Sequence, residues 1–249
     1  MKTSVLMNKI RNESLRISYF LRTGYYSRGE RVIPDFPDSN FQNHFKVYRF
    51  VQQFAVHKDV IDVGCGTGYG TAHLAEVAKS VVGIDISKSA IRWARNRYPA
   101  SQFVCMDAQH LNFPDRSFDL IVSTENFEHL HDQKGHLEQL ARILRPDGLC
   151  FVATPNPEMF SDFHNRYHTK ENSFDELMEL FRSHFQKITI LENIEEPHTK
   201  EGQAMLNGRR QGGCMGISKP ENIDITWLHN THSFFCFCQE PRVYREQGS

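Results

Sequence analysis

The chain has 249 residues, of which 39% are hydrophobic and 12% aromatic, enough apolar material to bury a core and to exclude wholesale disorder. Its 29 Lys and Arg against 30 Asp and Glu leave a net charge of −1 and a pI near 6.9, so no overall basic character marks it for nucleic acid or an anionic membrane. No apolar run nears the roughly 18 residues that cross a bilayer, and Val5-Leu6-Met7 is too short for the core of a secretory signal, which leads us to expect a soluble, cytoplasmic protein.

Residues 1–43 carry Pro34, Pro37 and an aromatic cluster of Tyr19, Phe20, Tyr25 and Tyr26, and are expected to form a cap or lid. The main domain is expected over 44–238. Within it short β-branched runs alternate with helix-period stretches, the pattern of βαβ units and a parallel sheet. Strands are predicted at 60–63, 81–85, 103–107, 119–123 and 149–153; such continuous apolar runs suit strands covered on both faces. A helix is predicted over 71–78. Ser87 is placed to cap a helix through Ala90, Ile91 and Ala94 that stops at Pro99. Leu137, Leu140, Ala141 and Leu144 form one apolar helical face, ended by the turn composition Arg145-Pro146-Asp147-Gly148. Ser173 and Glu176 form a capping box before the stripe Phe174, Leu177, Met178 and Phe181. A sixth strand is predicted at 188–191 and a last one at 233–238. Between them the polar, glycine-rich stretch 195–231, with Arg209 and Arg210, reads as an insertion or lid, and 239–249 as a tail.

The six cysteines are Cys65, Cys105, Cys150, Cys214, Cys236 and Cys238. They include no Cys-x-x-Cys pair, and Cys236-x-Cys238 lacks the second pair that would complete a zinc pattern, so reduced thiols are expected.

The segment with the most chemistry is Val60-Ile61-Asp62-Val63-Gly64-Cys65-Gly66-Thr67-Gly68-Tyr69-Gly70, which leaves a strand and opens into a helix. Its glycines permit a sharp turn and a close approach of ligand to backbone. The helix amides face the same crevice. Asp85 ends the next strand about 20 residues on, where an acid accepts ribose hydroxyls. A dinucleotide fingerprint needs a third glycine where Tyr69 stands.

Gly64-x-Gly66-x-Gly68 preceded by Asp62 instead resembles motif I of the class I S-adenosylmethionine-dependent methyltransferases. The resemblance runs from about 44 to 238. It continues through Asp85-Ile86, Met106-Asp107-Ala108, Phe118 to Ser123, Glu125 to Leu130, and Leu144-Arg145-Pro146-Asp147-Gly148. It implies a Rossmann-like seven-stranded sheet, mostly parallel with an antiparallel last strand and helices on both faces. It also implies S-adenosyl-L-methionine as cofactor, with Asp62, Gly64, Cys65, Gly66, Gly68, Asp85, Ile86, Asp107, Ala108 and Ser123 as the cofactor-binding set. Asp62 has a second reading, in which it only orders the glycine loop by hydrogen bonding. The lead-in from Gly29 to Phe50 is similar to that of bacterial methyltransferases of glycan or natural-product assembly.

The expected reaction is methyl transfer to a small-molecule acceptor, an oxygen of a sugar, phenol or natural-product intermediate, with His129 as candidate general base. His131 is its neighbour, and His164 and His168 are candidate substrate contacts. Glu128, His129, His131, Asp132 and His136 also suggest a metal cluster, but consecutive residues do not all face one point, so no metal is expected. Thr154-Pro155-Asn156-Pro157 stands after the wrong strand for a base-methylating motif, and no nucleic-acid or membrane partner is expected. The protein is expected to be a monomer or homodimer. An NAD-binding oxidoreductase and a non-catalytic S-adenosylmethionine-binding domain are the alternatives.

Overall fold

The computed structural model describes residues 32, 34, 39–157, 167–191 and 233–242. The N-terminal aromatic cluster, His164, the 195–231 insertion with Arg209 and Arg210, Cys214 and most of the expected tail lie outside the described residues.

Seven strands form one sheet: β1 (Asp59–Val63), β2 (Ser80–Asp85), β3 (Gln102–Cys105), β4 (Phe118–Thr124), β5 (Leu144–Pro155), β6 (Phe185–Leu191) and β7 (Ser233–Pro241). Their order is β3-β2-β1-β4-β5-β7-β6. β1 to β5 pair in parallel, while β7 runs antiparallel to both β5 and β6. This is the expected α/β architecture with its antiparallel last strand.

Period-two alternation assigns the faces. Ile61, Val63, Ile121, Cys150 and Val152 point to one side, where helices α4 (Gln133–Ile143) and α5 (Phe174–Arg182) cover them with Leu137, Leu140, Leu177 and Phe181. Val60, Leu120, Val122, Phe151 and Phe237 point to the other, under Val47, Phe50 and Val51 of α1 (Ser39–Ala55). The helix ends follow the sequence. Ser87 accepts from the Ala90 amide at 3.3 Å to start α3 (Lys88–Arg97), and Ser173 and Glu176 close their capping box. Cys65, Cys150, Cys236 and Cys238 are buried free thiols and Cys105 an exposed one.

Two elements differ from expectation. The helix after the glycine loop, α2 (Tyr69–Leu74), starts at once from left-handed Gly68 and is shorter than 71–78. The predicted turn at 145–148 is a bulge inside β5: Leu144 pairs with Phe118, and pairing resumes at Leu149 with Leu120. A Cβ on Gly148 would lie 2.6 Å from the Leu144 side chain, which is why the bulge takes glycine. Arg145 in that bulge reaches Asp59 at 3.0 Å and Asp119 at 2.7 Å, pinning the amino ends of β1 and β4.

Candidate active site at the carboxyl edge of the sheet

Strand order reverses between β1 and β4, and the parallel register brings the carboxyl ends of β1 to β5 to one edge. A doubly wound sheet opens its ligand crevice there. The glycine loop, Asp85-Ile86, Asp107-Ala108 and the 125–129 segment all leave from that edge.

Gly64, Gly66 and Gly68 all have positive φ, +80°, +54° and +81°. A Cβ on Gly64 would meet the Asn126 side chain at 2.6 Å, and one on Gly68 the Phe103 ring at 2.6 Å. Gly66 differs, because among the described residues nothing lies within 4 Å of the Cβ it lacks. Its outer face is therefore open to a ligand, while its amide donates to Asp85 Oδ2 at 3.0 Å. Asp85 Oδ1 accepts from the Ser87 amide at 2.7 Å. These two backbone donors help to fix the carboxylate at the end of β2. The next residue, Ile86, is 67% exposed, an apolar platform beside that carboxylate. An open glycine face, a fixed acid and a neighbouring apolar surface fit a nucleoside with a cationic sulfonium end.

Asp62 lies on the α1 face with Val60, fully buried, and accepts from Tyr48 Oη at 3.0 Å and Thr71 Oγ1 at 2.6 Å. Thr124 donates to Tyr48 in turn at 3.0 Å. Burial pushes the Asp62 carboxyl up to about 6, against the pull of its hydroxyl donors. Its donors are side chains of α1 and α2, so it ties the end of β1 to both helices. The sequence did not single out Tyr48, and only the packing of α1 reveals it.

The remaining candidates divide similarly. Cys65 sends its side chain into a cluster with Ile91, Ala94 and Phe103, so only its backbone is on the loop. Ser123 is buried, and its Oγ accepts from Asn126 at 3.3 Å, so it is Asn126 that stands against Gly64. Asp107 accepts from the Gln109 amide at 2.9 Å, which holds its carboxyl below the usual range. The Ala108 carbonyl accepts from His136 Nδ1 at 2.8 Å. His136 is buried, and burial pushes it down to about 4. Of the residues first considered together, His131 is exposed, Asp132 caps α4 through Gly135, and His136 holds the 106–108 turn.

At the β4 end, Glu125 takes a left-handed backbone, φ +48°, and turns the chain into a short 3-10 helix, Phe127–His129. His129 Nδ1 donates to the Tyr167 carbonyl at 3.0 Å, and its Nε2 lies 3.6 Å from Glu128 Oε1. His168 comes alongside, its ring 5.1 Å from that of His129. Glu128, 1% exposed, accepts from Thr154 Oγ1 at 3.0 Å. The 167–172 segment is stapled to this turn by the Thr169 amide on the Glu128 carbonyl at 2.8 Å and by Gln133, which donates to the Phe127 and Lys170 carbonyls, both at 3.1 Å.

Residues 61–152 match the family model described as a methyltransferase domain. A probable S-adenosylmethionine-dependent methyltransferase of Mycobacterium tuberculosis is 38% identical over 158 residues, 61% of this chain and 58% of that protein. An O-methyltransferase of Penicillium expansum is 34% identical over 151 residues, 55% of each. The chain spans about 58–63% of the length of the first curated relatives it matches. An N-methyltransferase of Bradyrhizobium japonicum, solved with S-adenosyl-L-homocysteine, shares the fold with a TM-score of 0.56 at 16% identity, over 84% of this chain and 90% of that one.

Proposed function

We propose that this chain, whose residues 61–152 match a methyltransferase-domain family model, is a class I S-adenosylmethionine-dependent enzyme that moves a methyl group to an oxygen of a small-molecule acceptor. The observation that carries the reading is the open face of Gly66 beside the fixed carboxylate of Asp85. O-methyltransferases among its relatives support oxygen as the atom methylated.

In this reading the glycine loop and Asp85 hold the nucleoside, and Ile86, Asp107 and Ala108 border its base. The cofactor supplies an electrophile, a sulfonium methyl whose carbon bonds to the acceptor as the C–S bond breaks. Much of the rate then comes from fixing two reactants in line, worth several kcal/mol in well-oriented systems. His129, with its proton fixed on Nδ1 by Tyr167, turns the Nε2 lone pair to the acceptor hydroxyl and takes its proton.

Calorimetric titration with S-adenosylmethionine and S-adenosylhomocysteine, with NAD as control, tests the first half. Both sulfur nucleosides should bind at micromolar level and NAD should not. Asp85→Ala should weaken them by about 1–3 kcal/mol, since it strands polar groups on the ligand and at Gly66. Binding of NAD alone would sink the reading. Formation of S-adenosylhomocysteine with hydroxylated acceptors, and its absence with every acceptor, separate an enzyme from a binding domain.

A further inference from the structure

Glu128, His129 and His168 each offer one ligand atom, and these atoms lie within 4.8 Å of one another. We infer that they form a binding site for a divalent transition-metal ion at the acceptor end of the crevice.

Three observations point there. Both histidines are oriented through Nδ1 onto an oxygen acceptor, His129 on the Tyr167 carbonyl at 3.0 Å and His168 on the Glu171 carboxylate. Metal-ligating imidazoles are held in this way, because it fixes the tautomer and presents Nε2. Next, Glu128 Oε1 stands 3.6 Å from His129 Nε2. At that spacing the two atoms are beyond hydrogen-bond reach of each other and close enough to share one cation. Finally, the Glu128 carboxylate is 1% exposed and anchored through its other oxygen by Thr154, while its carbonyl and that of His129 are clasped by residues 169 and 170. The trio is therefore built rigidly from two segments some 40 residues apart.

Two imidazoles and one carboxylate are a donor set for ions such as Zn²⁺, Fe²⁺ or Co²⁺. Magnesium prefers a shell of oxygens. Three protein ligands leave coordination positions for an acceptor oxygen. Resting on the methyl-transfer reading, the ion replaces His129 as the group that activates the acceptor. The His129 Nε2 lone pair binds the metal, the metal binds the acceptor hydroxyl and lowers its pKa, and the proton leaves to water.

The test is titration of the full chain with Co²⁺, read by visible absorption and equilibrium dialysis, with Mg²⁺ as control. One Co²⁺ per chain should bind and Mg²⁺ should not compete. His129→Gln and His168→Ala should each weaken Co²⁺ more than tenfold, and His131→Ala should leave it unchanged. Glu171→Gln, which touches no ion, should weaken it by a smaller factor by loosening His168. Absence of Co²⁺ binding, or equal binding by the wild type, His129→Gln and His168→Ala, overturns the site. S-adenosylmethionine titrated into the same proteins keeps the two readings apart. Cofactor binding with no Co²⁺ binding removes the metal alone. Co²⁺ binding lost in His168→Ala, without cofactor binding in any of them, keeps the metal site and removes the methyl-transfer reading.

Discussion

The two halves of the carboxyl edge are built by different means. From β1 to β3 the site is made of backbone: three left-handed glycines, amides turned to Asp85, and side chains such as Cys65 packed inward. From β4 to β5 it is made of side chains, with Glu128, Thr154 and His168 brought together from three stretches of chain. A backbone site is written as one contiguous run of small residues. A side-chain site is written as scattered polar residues whose meaning depends on how the chain returns.

The largest test of this contrast sets two glycines of one loop against each other. Gly68→Ala combines a positive φ with a collision against Phe103 and should cost about 2–5 kcal/mol of stability. Gly66→Ala has a similar φ but open space, so its stability cost should be only about 1–2 kcal/mol. Its damage should appear instead in cofactor affinity, as a loss of more than tenfold. Denaturant unfolding beside calorimetry reads both, and equal behaviour of the two variants would dissolve the assignment of the open face.

On the side-chain half, Gln133→Leu removes the donor shared by the Phe127 and Lys170 carbonyls and the acceptor of Asn172. It should cost about 1–3 kcal/mol. It should weaken Co²⁺ binding while cofactor affinity stays within twofold. If both affinities fall together, the halves are not separable.

The smallest effect is in pH. Asp62, at about 6, is above its unfolded value, so the native state keeps this proton longer and its contribution to stability falls as pH rises from about 4 to 6. His136, at about 4, is below its unfolded value, so the unfolded chain takes the proton first and this contribution falls as pH drops from about 6.5 to 4. The two slopes oppose each other. Relative to wild type, Asp62→Asn should become more acid-sensitive across that window and His136→Gln less so, measured as unfolding midpoints against pH.

What the sequence disclosed follows the same division. The glycine spacing, Asp85 and the strand alternation were legible because each depends on neighbours a few residues away. The Asp62 partner was not, since recognising Tyr48 requires knowing that period two turns Asp62 to the face that α1 covers. A metal was not expected because Glu128, His129, His131, Asp132 and His136 do not all face one point. The proposed site draws instead on His168, whose return beside His129 no local pattern announces. The 145–148 bulge kept turn chemistry inside a strand, because the pairing of Leu144 and Leu149 with β4 outweighs local propensity.

The place of β7 bears on how the chain is made. It lies between β5 and β6 and pairs with both along nearly its whole length. Among the described residues β6 has no other strand beside it. During synthesis, β5 and β6 therefore leave the ribosome with open hydrogen-bonding edges that only a later segment fills. Until residues 233–241 emerge, those edges are exposed to any other extended chain, and the sheet closes after translation of the domain is nearly done.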